Sequence, residues 1–124
     1  MLKLYGHPFS SYTWKVQIAL YENQTAFEFC VIDGEHPVHL KVLKQYSPQH
    51  KFPLLLDDGG AVFESSVIIE YLQLHHPGAV EFIPRDMGEA LDVRTLDRFF
   101  DSYVMTPVQH IVNDFIRDPG DRDA

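Results

Sequence analysis

Along the chain, apolar and polar positions alternate, then lengthen their period, then alternate again. Residues 2–5, LKLY, alternate as a short strand. A helical spacing follows in TWKVQIALYEN, where Trp14, Val16, Ile18, Ala19 and Leu20 supply much of an apolar face, and Ser10 or Ser11 stands where that helix needs a cap. FEFCVI, residues 27–32, alternates once more and is rich in β-branched and aromatic side chains, which predicts a second strand ended by Asp33 and Gly34. After Pro37, VHLKVLKQY reads as a weaker helix stopped by Ser47-Pro48. FPLLLDDGGAVFESS predicts a hairpin, with Leu54–Leu56 and Ala61–Phe63 as strands and Asp57-Asp58-Gly59-Gly60 as the turn. SSVIIEYLQLHH is helical by spacing, with Val67, Ile68, Tyr71 and Leu72 on one side, and Pro77-Gly78 closes it.

The resulting order is βαβαββα. Two strands joined through a helix suit a parallel unit, whereas the last two can pair only as a hairpin, so the simplest packing of residues 1–78 is one α/β sheet with helices on its faces. Residues 79–86, AVEFIPRD, read as a linker. Beyond it the pattern changes: Leu91, Leu96, Phe99, Phe100, Tyr103, Val104, Val108, Ile111, Val112 and Phe115 spread over too wide a face for a lone solvated helix, and Pro107 is expected to bend it. Residues 87–124 therefore call for partner helices, either later in a longer protein or from another chain. The ending DPGDRDA is polar and reads as unstructured.

Charge and composition then remove several function classes. With 18 acidic against 10 basic residues the net charge is −8, and no Lys/Arg cluster offsets it, so nucleic acid and anionic membrane are poor partners. No apolar run approaches the roughly twenty residues of a membrane span, and Met1 leads directly into a strand, which predicts a soluble, cytoplasmic protein. The single cysteine, Cys30, allows neither an internal disulfide nor a CxxC pair, and its place in a strand marks it as a small buried hydrophobe. His75 and His76 diverge on a helix, with no carboxylate or cysteine spaced to join them, so no metal is assigned.

Three stretches carry candidate chemistry: SSYTWKVQIAL, SPQHKFPLL and VFESSVIIEYL. In this order and topology they resemble the glutathione S-transferases. The first is similar to the serine-type start of the first helix in zeta, theta and tau-like enzymes, the second to the family's loop with lysine before a cis-proline, and the third to its Glu-Ser pair at the start of the third helix. The resemblance implies a thioredoxin-like, glutathione-binding domain followed by the first helix of an all-helical domain, in proteins that continue for roughly another hundred residues. It further implies glutathione as co-substrate without a metal, conjugation to a small hydrophobic electrophile in detoxification, and a homodimer. A noncatalytic module of the same fold, used for interaction or regulation, is the alternative.

By that resemblance the site residues are as follows. Ser10 takes the catalytic place in the zeta and tau patterns, Ser11 in the delta and theta-like spacing, and Tyr5 falls near the tyrosine of the alpha, mu and pi classes. Tyr12 stands where zeta enzymes carry a cysteine, which counts against a zeta-type isomerase. Phe52, before a cis Pro53, offers its backbone to the cysteinyl part of glutathione, Lys51 faces the glycyl carboxylate, and Glu64 and Ser65 hold the γ-glutamyl end, with His36, His39 and His50 as further polar candidates. A hydroxyl at a helix N-terminus suits a thiolate, through its own hydrogen bond and through the helix's partial positive end. Lowering the thiol pKa by about two units raises the thiolate fraction roughly 25-fold but returns roughly 8-fold in nucleophilicity, a net gain of about threefold. Most of any acceleration must then come from holding the thiolate beside its electrophile.

Overall fold

A computed structural model describes residues 1–117 and 119–121. They form two compact units, Met1–Ile83 and Pro84–Ala124. In the first, β1 (Leu2–Gly6), α1 (Ser11–Glu22), β2 (Phe27–Val31), α2 (Pro37–Tyr46), β3 (Leu54–Asp57), β4 (Gly60–Phe63) and α3 (Ser65–His75) follow in the expected order. The sheet runs β2-β1-β3-β4, with β1 parallel to β2 and antiparallel to β3, and β3 antiparallel to β4.

Strand alternation divides the core between the two sheet faces. Leu2, Leu4 and Leu55 join Val16 and Leu20 of α1 and Ile68 and Leu72 of α3. Tyr5, Cys30 and Leu54, one residue out of phase with those, join Ile32 and Leu43, the latter from α2. Each fully buried leucine contributes about 2 kcal/mol by leaving water. Cys30 is buried among these residues. Three positions depart from the predicted faces: Trp14, Ile18 and Val67 are 47%, 61% and 52% exposed. The inner face of α1 is built instead from Thr13, Val16, Ala19 and Leu20, because Thr13 turns toward the start of the helix and its hydroxyl accepts the His7 N–H at 3.4 Å.

Local geometry sharpens the element ends. α2 opens on Pro37 itself, whose missing N–H costs nothing in a first turn. Asp57 and Gly60 pair across the hairpin, leaving Asp58 and Gly59 as its two central residues with φ of 46° and 87°, the doubly positive pattern that matches strand twist. A side chain at Gly6 would lie 2.4 Å from Thr13 Cγ2, so the end of β1 needs a glycine to let α1 start against it. Residues beyond α3 turn back onto the first unit. The Asn23 carboxamide bonds both backbone groups of Val80, at 2.8 and 3.0 Å, and the Gln73 carboxamide both groups of Ile83, at 2.8 Å each.

The second unit is helical: α4 (Met87–Phe99), capped by Asp86, then a π-helical segment Phe100–Met105, then α5 (Thr106–Ile116). The chain stays helical through Pro107. The wider turn absorbs the proline, with both the N–H and the hydroxyl of Thr106 directed to the Asp101 carbonyl. The ending read as unstructured contains a 3-10 turn at Pro119–Asp121. A proline's fixed φ favours such a turn. Positions 118 and 122–124 lie outside the described residues. Leu91, Leu96, Phe99, Phe100, Tyr103, Val108, Ile111 and Phe115 are exposed.

Candidate functional site

Strand register gathers the candidate residues at one end of the sheet. Tyr5 pairs with Leu54 and Leu54 with Phe63, so the residues one step on, Gly6, Pro53 and Glu64, leave the three strands side by side. On the far side Gly6 pairs with Val31, and its carbonyl accepts the Ile32 N–H at 2.8 Å. The β1–α1 turn, the loop before β3, the start of α3 and the β2–α2 connection thus open at the same edge. α1 and α3 both begin there, and unpaired N–H groups in a helix's first turn favour an anionic group.

Ser10 caps α1. Its backbone is extended, at φ −89° and ψ 117°, its hydroxyl oxygen accepts the Thr13 N–H at 3.2 Å, and the residue is 6% exposed. Because that bond uses an oxygen lone pair, the hydroxyl proton stays available for donation. Ser11 is the first helical residue and half-buried, with Tyr12 next to it. Tyr5 points into the α2-side core, where burial and the Cys30 thiol push its phenol up to about 12, a poor setting for assisting a thiolate.

The loop before β3 is held by Ser47, whose buried hydroxyl donates to the Lys51 carbonyl and accepts the Lys51 N–H, both at 3.2 Å. His50 takes a φ of 55°, and the Phe52–Pro53 bond is cis. Pro53 is buried, Phe52 half-buried and Lys51 exposed, so the loop sets an exposed cation beside a buried proline.

Glu64 occupies the cap position of α3, without a side-chain capping bond. Its φ of 68° and ψ of 124° lie outside the left-handed helical region and cost about 1–3 kcal/mol. Glu64 is exposed, whereas Ser65, the first helical residue, is 6% exposed. A strained, exposed carboxylate beside a buried serine at a helix start suits an ammonium and a carboxylate carried on one carbon.

His36 and His39 stack at the head of α2 with ring centroids 4.9 Å apart. His36 bonds Asp33 at 2.6 Å, holding that carboxyl below its ordinary range, and His39 Nδ1 donates to the Val31 carbonyl at 2.7 Å. Two contacts had no sequence signal that pointed to them. The Lys15 ammonium donates to the Ser66 hydroxyl at 2.8 Å, across 51 positions of chain. His7 closes the β1–α1 turn through its own ring, a pairing visible only once the residue two positions on is seen to turn back. Among the described residues no cluster of three or more histidine, cysteine or acidic side chains is arranged for a metal.

A family model described as "Glutathione S-transferase, N-terminal domain" matches residues 4–79. A probable maleylacetoacetate isomerase of Caenorhabditis elegans is 36% identical over 67% of this chain and 38% of its own length. A glutathione S-transferase of Pseudomonas putida is 34% identical over 88% of this chain and 48% of its own. A glutathione S-transferase of Methylobacillus flagellatus, solved with glutathione bound, superposes with a TM-score of 0.79 at 27% identity, covering all of this chain and 60% of that one. The chain thus spans about half the length of the relatives it matches. Its first unit has the thioredoxin-like arrangement of these proteins, followed by helices. On the strength of that match, running from β1 past the end of α3, this chain belongs to the glutathione S-transferase family.

Proposed function

We propose that this chain carries the glutathione site of a transferase that joins the glutathione sulfur to a small hydrophobic electrophile. The observation that carries the reading is the convergence at one sheet end of the Ser10 cap, the cis Phe52–Pro53 loop and the Glu64–Ser65 helix start. A relative with a matching fold binds glutathione, which supports the choice of ligand. In this reading the γ-glutamyl carboxylate meets the Ser65 N–H and hydroxyl, and Glu64 meets the ammonium group. Phe52 pairs its backbone with the cysteinyl unit, and Lys51 faces the glycyl carboxylate. Residues 1–78 form the glutathione domain, and residues 87–124 begin a helical domain.

The Ser10 hydroxyl donates to sulfur as the thiol proton passes to water, with Ser11 as the second candidate. The thiolate lone pair then forms the sulfur–carbon bond and the electrophile's leaving group departs with its electrons. Because ionisation alone yields only about threefold, the site acts mainly by orientation. The reading carries with it a cytoplasmic homodimer.

Calorimetry with glutathione on the full-length protein, followed by conjugation to a chlorodinitrobenzene, tests both halves. Ser10→Ala should lower kcat/KM roughly ten- to a hundredfold, mostly through lost orientation of the sulfur and only about threefold through its ionisation, with Ser11→Ala within about threefold of wild type. Uptake of glutathione without turnover would favour the noncatalytic module. No uptake would end the reading.

A further inference from the structure

The turn that leads to Ser10 is closed by a side chain for which the chemistry above has no use. His7 Nδ1 accepts the Phe9 N–H at 3.0 Å, and the His7 carbonyl accepts the Ser10 N–H at 3.0 Å. Pro8 between them has no N–H and a fixed φ, and its carbonyl accepts the Trp14 indole N–H. Both N–H groups entering the Ser10 cap therefore end on one residue. An imidazole that accepts at Nδ1 is the neutral form with its proton on Nε2.

The same ring reaches sideways. Its centroid lies 5.2 Å from that of Phe9, edge to face at 62°, and 6.3 Å from that of Phe52 at 30°. Phe52 is the residue before Pro53. One imidazole thus touches the segment that delivers the Ser10 hydroxyl and the residue whose backbone would hold the cysteinyl unit.

We propose that His7 is a positioning residue of the thiol site: its imidazole fixes the Pro8-Phe9-Ser10 turn and seats it against Phe52, setting the span between the sulfur's donor and the cysteinyl backbone contacts. The proposal rests on the glutathione reading above. Productive geometry tolerates about 0.5 Å of error, so a residue that fixes this turn bears on the site. His7 itself contacts no reacting atom in this account.

The test uses the full-length protein with His7→Phe, which keeps a ring against Phe9 and Phe52 but removes the acceptor, and His7→Asn, whose side-chain oxygen can accept the same N–H as an Asx turn does. The readouts are the thiol pKa of bound glutathione, followed by thiolate absorbance, together with kcat and the glutathione dissociation constant. His7→Phe should move the bound thiol toward its value in free glutathione and lower kcat about fivefold, the worth of one lost hydrogen bond, with a smaller change in affinity. His7→Asn should recover most of both. Wild-type values in His7→Phe, or a His7→Asn no better than His7→Phe, would overturn the proposal. His7→Ala takes the place of His7→Phe should the latter fail to fold. Wild-type protein that takes up no glutathione would instead bring down the underlying reading, and this one with it.

Discussion

Lys15 Nζ lies 2.8 Å from Ser66 Oγ, tying the second turn of α1 to the first turn of α3. Both helices begin at the candidate site, so this bridge joins them there in addition to the core packing of Val16 and Leu20 with Ile68 and Leu72. Lys15→Met keeps the apolar stem and removes the donor, and Ser66→Ala removes the acceptor. In urea unfolding each should destabilise the protein by about 1 kcal/mol, and the double variant should cost less than the sum by about 0.5–1.5 kcal/mol. Strict additivity would mean that the pair does not interact.

Glu64 holds a positive-φ backbone conformation that a residue without a Cβ enters at lower cost. Glu64→Gly should therefore raise the unfolding free energy by about 1 kcal/mol, while Glu64→Gln, which keeps the same φ, should leave it within about 0.5 kcal/mol. Both should weaken glutathione binding, because both lose the carboxylate. Paired urea melts and calorimetry check this, and a less stable glycine variant would contradict the assignment of strain.

Asp57 accepts from His76 Nε2 at 2.8 Å and from the Tyr71 hydroxyl at 2.6 Å, joining the hairpin to α3. The His76 bond first, then the Tyr71 bond, lowers its carboxyl below the ordinary value. The sign follows from linkage. A carboxyl depressed in the folded state contributes stability that is present above its unfolded pKa and is lost as pH falls through the folded one. Urea midpoints taken from about pH 5 downward should fall more steeply for wild type than for Asp57→Asn. Parallel acid limbs would show that the cluster carries no such linkage.

Gly78 leaves room for the carboxamide that pins Val80. A side chain there would lie 2.5 Å from Asn23 Cγ and 2.7 Å from its Oδ1. Gly78→Ala should displace Asn23, break both bonds to Val80, and cost about 2 kcal/mol. Asn23→Ala removes the same bonds without crowding, so combining the two should add little. Protease nicking within 79–86 should accelerate in both variants, and unchanged rates would exclude the pinning role.

Much of the first unit was legible because alternation and turn chemistry are local. FEFCVI and the DDGG turn needed no tertiary knowledge. The misassigned faces of Trp14, Ile18 and Val67 share one cause: hydrophobicity marks a side chain that can be buried, not one that is, and these helices place small or polar residues such as Thr13 and Ser65 inward near the site. Resemblance supplied the candidate residues of the site, but the contacts that hold them were beyond its reach. Lys15 meets Ser66 only after the sheet has formed, and the backbone of Glu64 leaves no mark in composition.

The π-helical turn resolves what looked like an overly broad apolar face beyond residue 87. Leu96, Phe99 and Tyr103 are spaced three and four apart, Tyr103 to Val108 is a step of five, and Val108, Ile111 and Phe115 return to three and four. A π turn holds one residue more than an α turn, which rephases everything after it by about 100°. The long step falls beside Phe100–Met105, so two bands that a uniform helix would point in different directions merge into one ridge from Leu96 to Phe115. Deleting one residue from that turn would tidy the hydrogen bonding and at the same time split the ridge in two.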